Sequence, residues 1–172
     1  MSRVRRQSKT NLTLEMGLSS LEARRKADLN GLPVPQQPSH DQPRLPNDLT
    51  ELDDSELMTY FRKLTAWANW LASQLALAQV DERYAEERLK KIEAFANIAN
   101  KGEKNVTTAK ALAYEDEDYV EAKDGAQQAY AYRKLVESLY NSVDRDSQLV
   151  SRELTRRVGR NDRDNRASRW TT

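Results

Sequence analysis

Apolar residues recur every three or four positions along two long segments of the chain, which is the spacing of one helical face. In the first segment neither proline nor glycine interrupts residues 54–100, and Asp53 followed by Glu56 resembles a capping box. The pattern predicts one helix of about 46 residues, about 70 Å long. Its predicted buried seam comprises Leu57, Phe61, Leu64, Ala68, Leu71, Leu75, Ala78, Ala85, Leu89, Ile92, Ala96 and Ala99.

The second segment repeats this spacing after the polar stretch NKGEKNVTT, where Gly102 predicts a bend. A second helix is expected from about Asp118 to Val158, with its seam at Ala122, Ala126, Ala129, Arg133, Val136, Tyr140, Val143, Ser147, Val150 and Leu154. Glu82 breaks the register of the first seam. We expect it either to lie where the seam loosens or to pair with a lysine or arginine across the hairpin, rather than to be an unpaired buried acid. The prediction is an all-α fold, a long antiparallel, coiled-coil-like hairpin over residues 51–158.

Three further segments flank this hairpin. Residues 1–30 form a basic N-terminal arm with one short helix, LSSLEARRKADL, and residues 159–172 form an arginine-rich C-terminal tail. Residues 31–50 contain all five prolines of the chain, which predicts an extended linker.

Two helices on their own bury little apolar surface, so the hairpin is expected to associate with other copies of itself. Small seam residues such as Ala78 and Ala85 permit close helix approach. Four residues lie off the main seam and could contact other copies: Leu77, Tyr84, Tyr130 and Tyr132. The predicted state is a homo-oligomer with extended basic arms.

Composition excludes several protein classes. The 28 lysines and arginines nearly balance the 27 aspartates and glutamates, so any affinity for a polyanion must come from local charge. Cysteine is absent, which excludes disulfides and thiol chemistry. No apolar run approaches the roughly 20 residues that cross a bilayer, and the basic start leads into polar sequence. We therefore expect no membrane association and a cytoplasmic location.

Candidate chemistry is sparse, and no catalytic, cofactor-binding or metal site is expected. His40, the one histidine, lies in the proline linker, where solvent exposure is the expected environment. The acidic run at residues 115–118 favours a solvated helix start over a cation site. Trp67 and Trp70 could stack on nucleobases, but packing against a neighbouring helix is the preferred interpretation. The sequence thus predicts a protein that is not an enzyme.

The chain ends hold the strongest charge signal. Residues 151–172 carry seven arginines against three acidic residues, and residues 1–26 carry seven basic against two acidic residues. Arginine favours forked phosphate contacts. The predicted nucleic-acid-binding residues are Arg152, Arg156, Arg157, Arg160, Arg163, Arg166, Arg169, Trp170, Arg3, Arg5, Arg6 and Lys9. The alternative is that the basic ends contact acidic protein surfaces, and Asp162 and Asp164 within the tail count against phosphate binding.

The layout resembles a tailed-bacteriophage accessory protein in three stretches, TAWANWLASQLALAQVDERYAEERL, VTTAKALAYEDED and LVSRELTRR. Over residues 55–155 it resembles recombination mediators of the UvsY type, small helical oligomers that bind single-stranded DNA. That resemblance implies a DNA-handling role in the cytoplasm of an infected host cell. Two alternatives are a small terminase subunit for DNA packaging and a virion structural or connector protein, for which other phage proteins would be partners.

Overall fold

The computed structural model describes the backbone of residues 18–99, 114 and 116–169, and the side chains of residues 20–98, 114, 116–161 and 163. Within these ranges the chain forms α-helices and a 3₁₀ turn, and no strand. The helices are α1 (Leu18–Leu29), α2 (Asp54–Ala99) and α3 (Glu117–Arg169), and the 3₁₀ turn is Leu49–Glu51. Helices α2 and α3 pack against each other as a hairpin. This confirms the predicted all-helical hairpin; its bend near Gly102 lies outside the described residues.

The capping box predicted at the start of α2 is confirmed. The backbone N–H of Glu56 donates to Asp53 Oδ1 at 2.7 Å, and the N–H of Asp53 donates to Glu56 Oε2 at 2.9 Å. Each carboxylate thus satisfies a backbone donor that the first helical turn cannot. The helix then runs for 46 residues, as the uninterrupted apolar spacing predicts.

Helix α3 begins at Glu117 and continues to Arg169, past the predicted end at Val158. Gly159 in a helix costs only about 1 kcal/mol relative to alanine, and arginine is a good helix former. The Arg163 Nε also donates to the Gly159 carbonyl at 3.2 Å. Residues 159–169 are therefore the last turns of α3 rather than a separate tail.

The chain divides into two compact units, each containing part of α2 and part of α3. The leucine-core unit comprises Pro35–Ser73 and Ser138–Thr172. Its buried residues form one cluster, Leu57, Leu64, Leu71, Val143 and Val150. All five were predicted seam positions, so the sequence pattern correctly located this core.

The proline-rich segment, residues 31–50, forms no α-helix or strand, and part of it packs against the leucine core. Leu45 and Leu49 contact the buried cluster, and the Trp67 Nε1 donates to the His40 carbonyl at 3.1 Å. The expectation that His40 is solvent-exposed is wrong, because this packing leaves it half-buried. Its Nε2 is buried and has no hydrogen-bond partner among the described residues.

Trp67 and Trp70 also pack against the leucine core. Their rings meet edge to face with centroids 5.2 Å apart, and both side chains lie partly buried against the leucine core. This confirms the packing interpretation of the pair. Base stacking by these rings would require them to leave the core.

The alanine-seam unit comprises Met1–Val34 and Gln74–Glu137. Its buried residues are Ala78, Ala85, Ala96, Ala122 and Val136. Helix α1 ends at a Schellman-type cap in which Gly31 has a positive φ of 65°. The N–H of Leu32 donates to the Ala27 carbonyl at 2.9 Å, which stops the helix before the prolines.

The partner expected for Glu82 is Arg133. The Arg133 Nε donates to Glu82 Oε2 at 2.8 Å, and its Nη2 donates to Oε1 at 3.1 Å. Both side chains are mostly buried, and such a forked pair holds its geometry better than a single contact. Of the two alternatives expected for Glu82, the ion pair across the hairpin is the one observed, and it links α2 to α3 within the alanine-seam unit.

Candidate nucleic-acid interface

The Arg157 side chain hydrogen-bonds to other groups of its own chain. A guanidinium has five N–H donors, and here the structure gives each of them an acceptor at 2.7–3.2 Å. The acceptors are Glu153 Oε1, the Leu52 carbonyl, Asp54 Oδ1 and the carbonyls of Leu49 and Thr50. The side chain is 17% exposed. Arg157 therefore fixes the segment before α2 to α3, and this geometry offers no donor to a phosphate.

A signal for this role was present in the sequence. Val136, Val143 and Val150 are buried seam residues spaced by seven, and Arg157 is the next position in that series. A seven-residue step returns to nearly the same helix face, so Arg157 faces the other helix rather than solvent. The sequence prediction grouped Arg157 with the surface arginines because it did not take this seven-residue spacing into account.

Arg156 shares the carboxylate of Glu153 with Arg157. The Arg156 Nε and Nη2 donate to the two Glu153 oxygens, each at 2.7 Å. These bonds from Arg156, followed by those from Arg157, lower the pKa of Glu153 to about 2 from its usual 4.5. Arg156 itself is 46% exposed, so part of its guanidinium faces solvent.

The other described arginines of this region line one side of α3. Arg152, Arg160 and Arg163 are exposed, and Arg145, which the sequence prediction did not include, is exposed as well. Together with Arg156 they are spaced by seven, four, four and three residues, which places them within one helix face. We call Arg145, Arg152, Arg156, Arg160 and Arg163 the basic stripe. It extends about 27 Å along the leucine-core unit at about 1.5 Å per residue.

An open cleft of about 490 Å³ lies beside the basic stripe. It is lined by Thr50, Asp54, Arg156, Arg157, Arg160 and Asn161. Asp54 lines this cleft, and the N–H donors of Arg157, which also lines it, are already hydrogen-bonded to the protein. The cleft is therefore of mixed charge, and the surface that favours a polyanion is the basic stripe on the helix face.

The remaining predicted binding residues are placed only in part. Positions 166 and 169 belong to α3, but their side chains lie outside the described residues. Arg3, Arg5, Arg6, Lys9 and Trp170 lie outside them altogether. The structure thus brings together Arg152, Arg156, Arg160 and Arg163 from the predicted set and sets Arg157 apart.

Other chemistry is scarce in the described part of the chain. Among the described side chains, those of residues 20–98, 114, 116–161 and 163, no group of three or more histidine, aspartate or glutamate residues is arranged to hold a metal ion. No described helix has a stretch long and apolar enough to cross a bilayer. The basic stripe is therefore the surface with the clearest chemical preference.

Comparison with known proteins gives no relative of the chain: no family model, no curated protein and no solved structure matches it.

Proposed function

We propose that the chain is a non-enzymatic DNA-handling protein of a tailed bacteriophage, which binds nucleic acid as an oligomer and acts in the manner of a recombination mediator. The observation that supports this most is the basic stripe. Five exposed arginines share one face of α3, so their positive potential is focused rather than spread around the helix. A role in the cytoplasm of the infected cell follows from the same proposal.

The length of the stripe suits a nucleic-acid backbone. Phosphates of one DNA strand follow each other about every 3.4 Å of helix axis, so about 27 Å spans several of them. Arginine forks bind phosphate oxygens with two parallel hydrogen bonds. Trp67 and Trp70 are packed against the leucine core, and Trp170 lies outside the described residues. Binding should therefore be steep in salt and nearly independent of sequence.

The test is fluorescence anisotropy of labelled single-stranded and duplex DNA across a salt series. Replacing Arg152, Arg160 and Arg163 with alanine should lower the affinity at low salt about tenfold or more. For single strands the slope of log K against log salt should become shallower by about 2, because three phosphate contacts are lost. Arg156 and Arg157 stay in place, so Glu153 and the segment before α2 keep their partners.

A matched control removes the same charge elsewhere in the leucine-core unit. Arg44, Arg62 and Lys63 are exposed and lie off the basic stripe, so their triple alanine variant should bind almost like the wild type. Equal loss in both variants would contradict the proposal, since only net charge would then matter. Duplex preference in the wild type would favour a small terminase subunit over a mediator.

The Arg157 contacts favour a second candidate, a virion structural or connector protein. They show that an arginine of this region can be satisfied by backbone carbonyls and carboxylates, which neighbouring protein subunits also offer. A folded protein that binds neither form of DNA at low salt would support this candidate and remove the first.

A further inference from the structure

Helix α2 carries a second heptad pattern on the side of the alanine-seam unit that faces away from α3. Steps of four and three residues connect Val80, Tyr84, Glu87, Lys91, Ala94 and Ile98. This spacing defines a continuous seam along a helix. We call these six residues the outer stripe, and they lie well apart from the buried face formed by Ala78, Ala85 and Ala96.

The outer stripe is largely uncovered. Five of its six residues are exposed and Tyr84 is half-buried. Ile98 is 67% exposed and the adjoining Phe95 is 70% exposed, which is unusual for side chains of this size. Exposed apolar side chains at heptad spacing mark a helix face that packs on another helix.

The pattern is complementary to itself when it is read in the opposite direction. In an antiparallel pair of identical helices with a two-fold axis level with residue 89, Val80 lies opposite Ile98 and Tyr84 lies opposite Ala94. The same register places Glu87 opposite Lys91 of the other copy. By symmetry each of these contacts occurs twice. Apolar residues thus meet at the outer positions, and opposite charges meet beside the axis.

We propose that a second copy of this chain docks on the outer stripe, antiparallel, to form a two-fold symmetric dimer. The charge pattern selects this occupant because the single acidic and single basic stripe residues lie at equal distances from the axis. In the monomer Glu87 contacts only the exposed Arg83, at 3.5 Å, among the ion pairs of the described residues. That contact is weak in solvent, so Glu87 is able to exchange it for Lys91 of the second copy.

The area of contact sets the expected strength. The contact would extend along about 27 Å of one helix from each copy. We expect it to bury less surface than a permanent dimer, which buries about 800 Å² or more per partner. The dimer should therefore form and dissociate with concentration in the micromolar range. This dimer would be the oligomer of the proposed function. Its formation requires no nucleic acid, so it is tested with the protein alone.

The experiment is sedimentation equilibrium of the full chain, without DNA, from about 1 to about 100 µM. The average mass of the wild type should rise from 19.8 kDa toward twice that value. Glu87→Lys and Lys91→Glu each place like charges across the axis twice, so each should shift the midpoint to at least about tenfold higher concentration. The double variant E87K/K91E restores opposite charges and should return the midpoint to the wild-type range.

Glu86→Lys is the matched control, because it makes the same charge change at an exposed position outside the outer stripe. It should leave the midpoint unchanged, and circular dichroism should show the same helicity in all variants. A monomer at about 100 µM would overturn the proposal. The proposal would also be overturned if neither Glu87→Lys nor Lys91→Glu shifted the midpoint, or if E87K/K91E did not return it to the wild-type range. In either case another surface would form the dimer. Dimerisation without DNA binding would instead contradict only the proposed function.

Discussion

The leucine-core unit and the alanine-seam unit use the same two helices but bury different side chains. In the first, the buried residues are leucines and valines, and four large apolar side chains of its described part are exposed, Met58, Leu139, Leu149 and Val158. In the described part of the second, four of the five buried residues are alanines, and eleven large apolar side chains are exposed. Burying a leucine or valine stabilises a fold by about 1.5–3 kcal/mol, and an alanine methyl contributes less.

This difference has a functional consequence. The leucine-core unit buries larger side chains, and it bears the basic stripe on one face of α3. The alanine-seam unit brings α2 and α3 close together but leaves apolar side chains in solvent. Such a surface is expected to gain stability from another copy of the chain. The following predictions test this division, beginning with the largest effect.

Leu64→Ala should lower the free energy of unfolding by about 2–5 kcal/mol, because Leu64 is fully buried and its truncation leaves a cavity. Urea titration followed by circular dichroism measures the change. Leu139→Ala is the control, since Leu139 is 40% exposed and its loss should cost about 1 kcal/mol or less. Equal costs for the two variants would show that the leucine cluster is not the main source of stability.

Arg157→Ala should lower the free energy of unfolding by about 2–3 kcal/mol, because three backbone carbonyls and the Asp54 carboxylate lose this donor, while Glu153 keeps only its bonds from Arg156. Arg160→Ala, three residues along and exposed, should change it by about 0.5 kcal/mol or less. The same urea titration compares them. DNA affinity should show the opposite order, and an Arg157 variant that folds normally but loses DNA binding would contradict the assigned role.

Ala85→Leu should destabilise the alanine-seam unit by about 1–3 kcal/mol, because Ala85 is only 4% exposed and the larger side chain has to displace its neighbours. Ala76→Leu adds the same side chain at an exposed position of the same helix and should be nearly neutral. Thermal unfolding of both variants gives the comparison. If Ala85→Leu were stabilising, the seam would contain unfilled space and the description of a tight alanine contact would be wrong.

The fourth prediction concerns Glu153 and the pH dependence of stability. Its pKa is about 2 in the folded protein against a usual 4.5, so the carboxylate stabilises the fold above pH 4.5. This contribution is lost as the pH falls from about 4.5 toward 2. Glu153→Gln should remove that part of the pH dependence of stability, and Arg156→Gln should reduce it. Superimposable pH profiles for wild type and Glu153→Gln would contradict the assignment.

The sequence predicted those features that rest on local spacing and capping. The start of α2 follows from Asp53 and Glu56, and both seams follow from apolar periodicity. The end of α3 was missed because glycine weakens a helix without necessarily stopping it. The packing of Leu45 and Leu49 could not be predicted, since their contacts are non-local and proline-rich sequence has no periodicity that marks a buried face.

The candidate site was predictable in composition but not in geometry. Arginine density pointed to the last turns of α3, yet it did not separate Arg157 from Arg160. The distinction depends on which residues face the other helix and on the carbonyls of Leu49, Thr50 and Leu52, which come from a distant part of the chain. Arg145 was left out because the charge count began at residue 151, although it lies in the predicted helix seven residues before Arg152.

Hydrogen exchange followed by mass spectrometry at about 1 and about 100 µM tests the division into two units most directly. Amides of residues 57–71 and 143–157, in the leucine-core unit, should be protected equally at both concentrations. Amides of residues 80–98, in the alanine-seam unit, should exchange faster at low concentration and gain protection at high concentration. Uniform protection of both units at low concentration would contradict the account, because the alanine-seam unit would then be stable without a second copy.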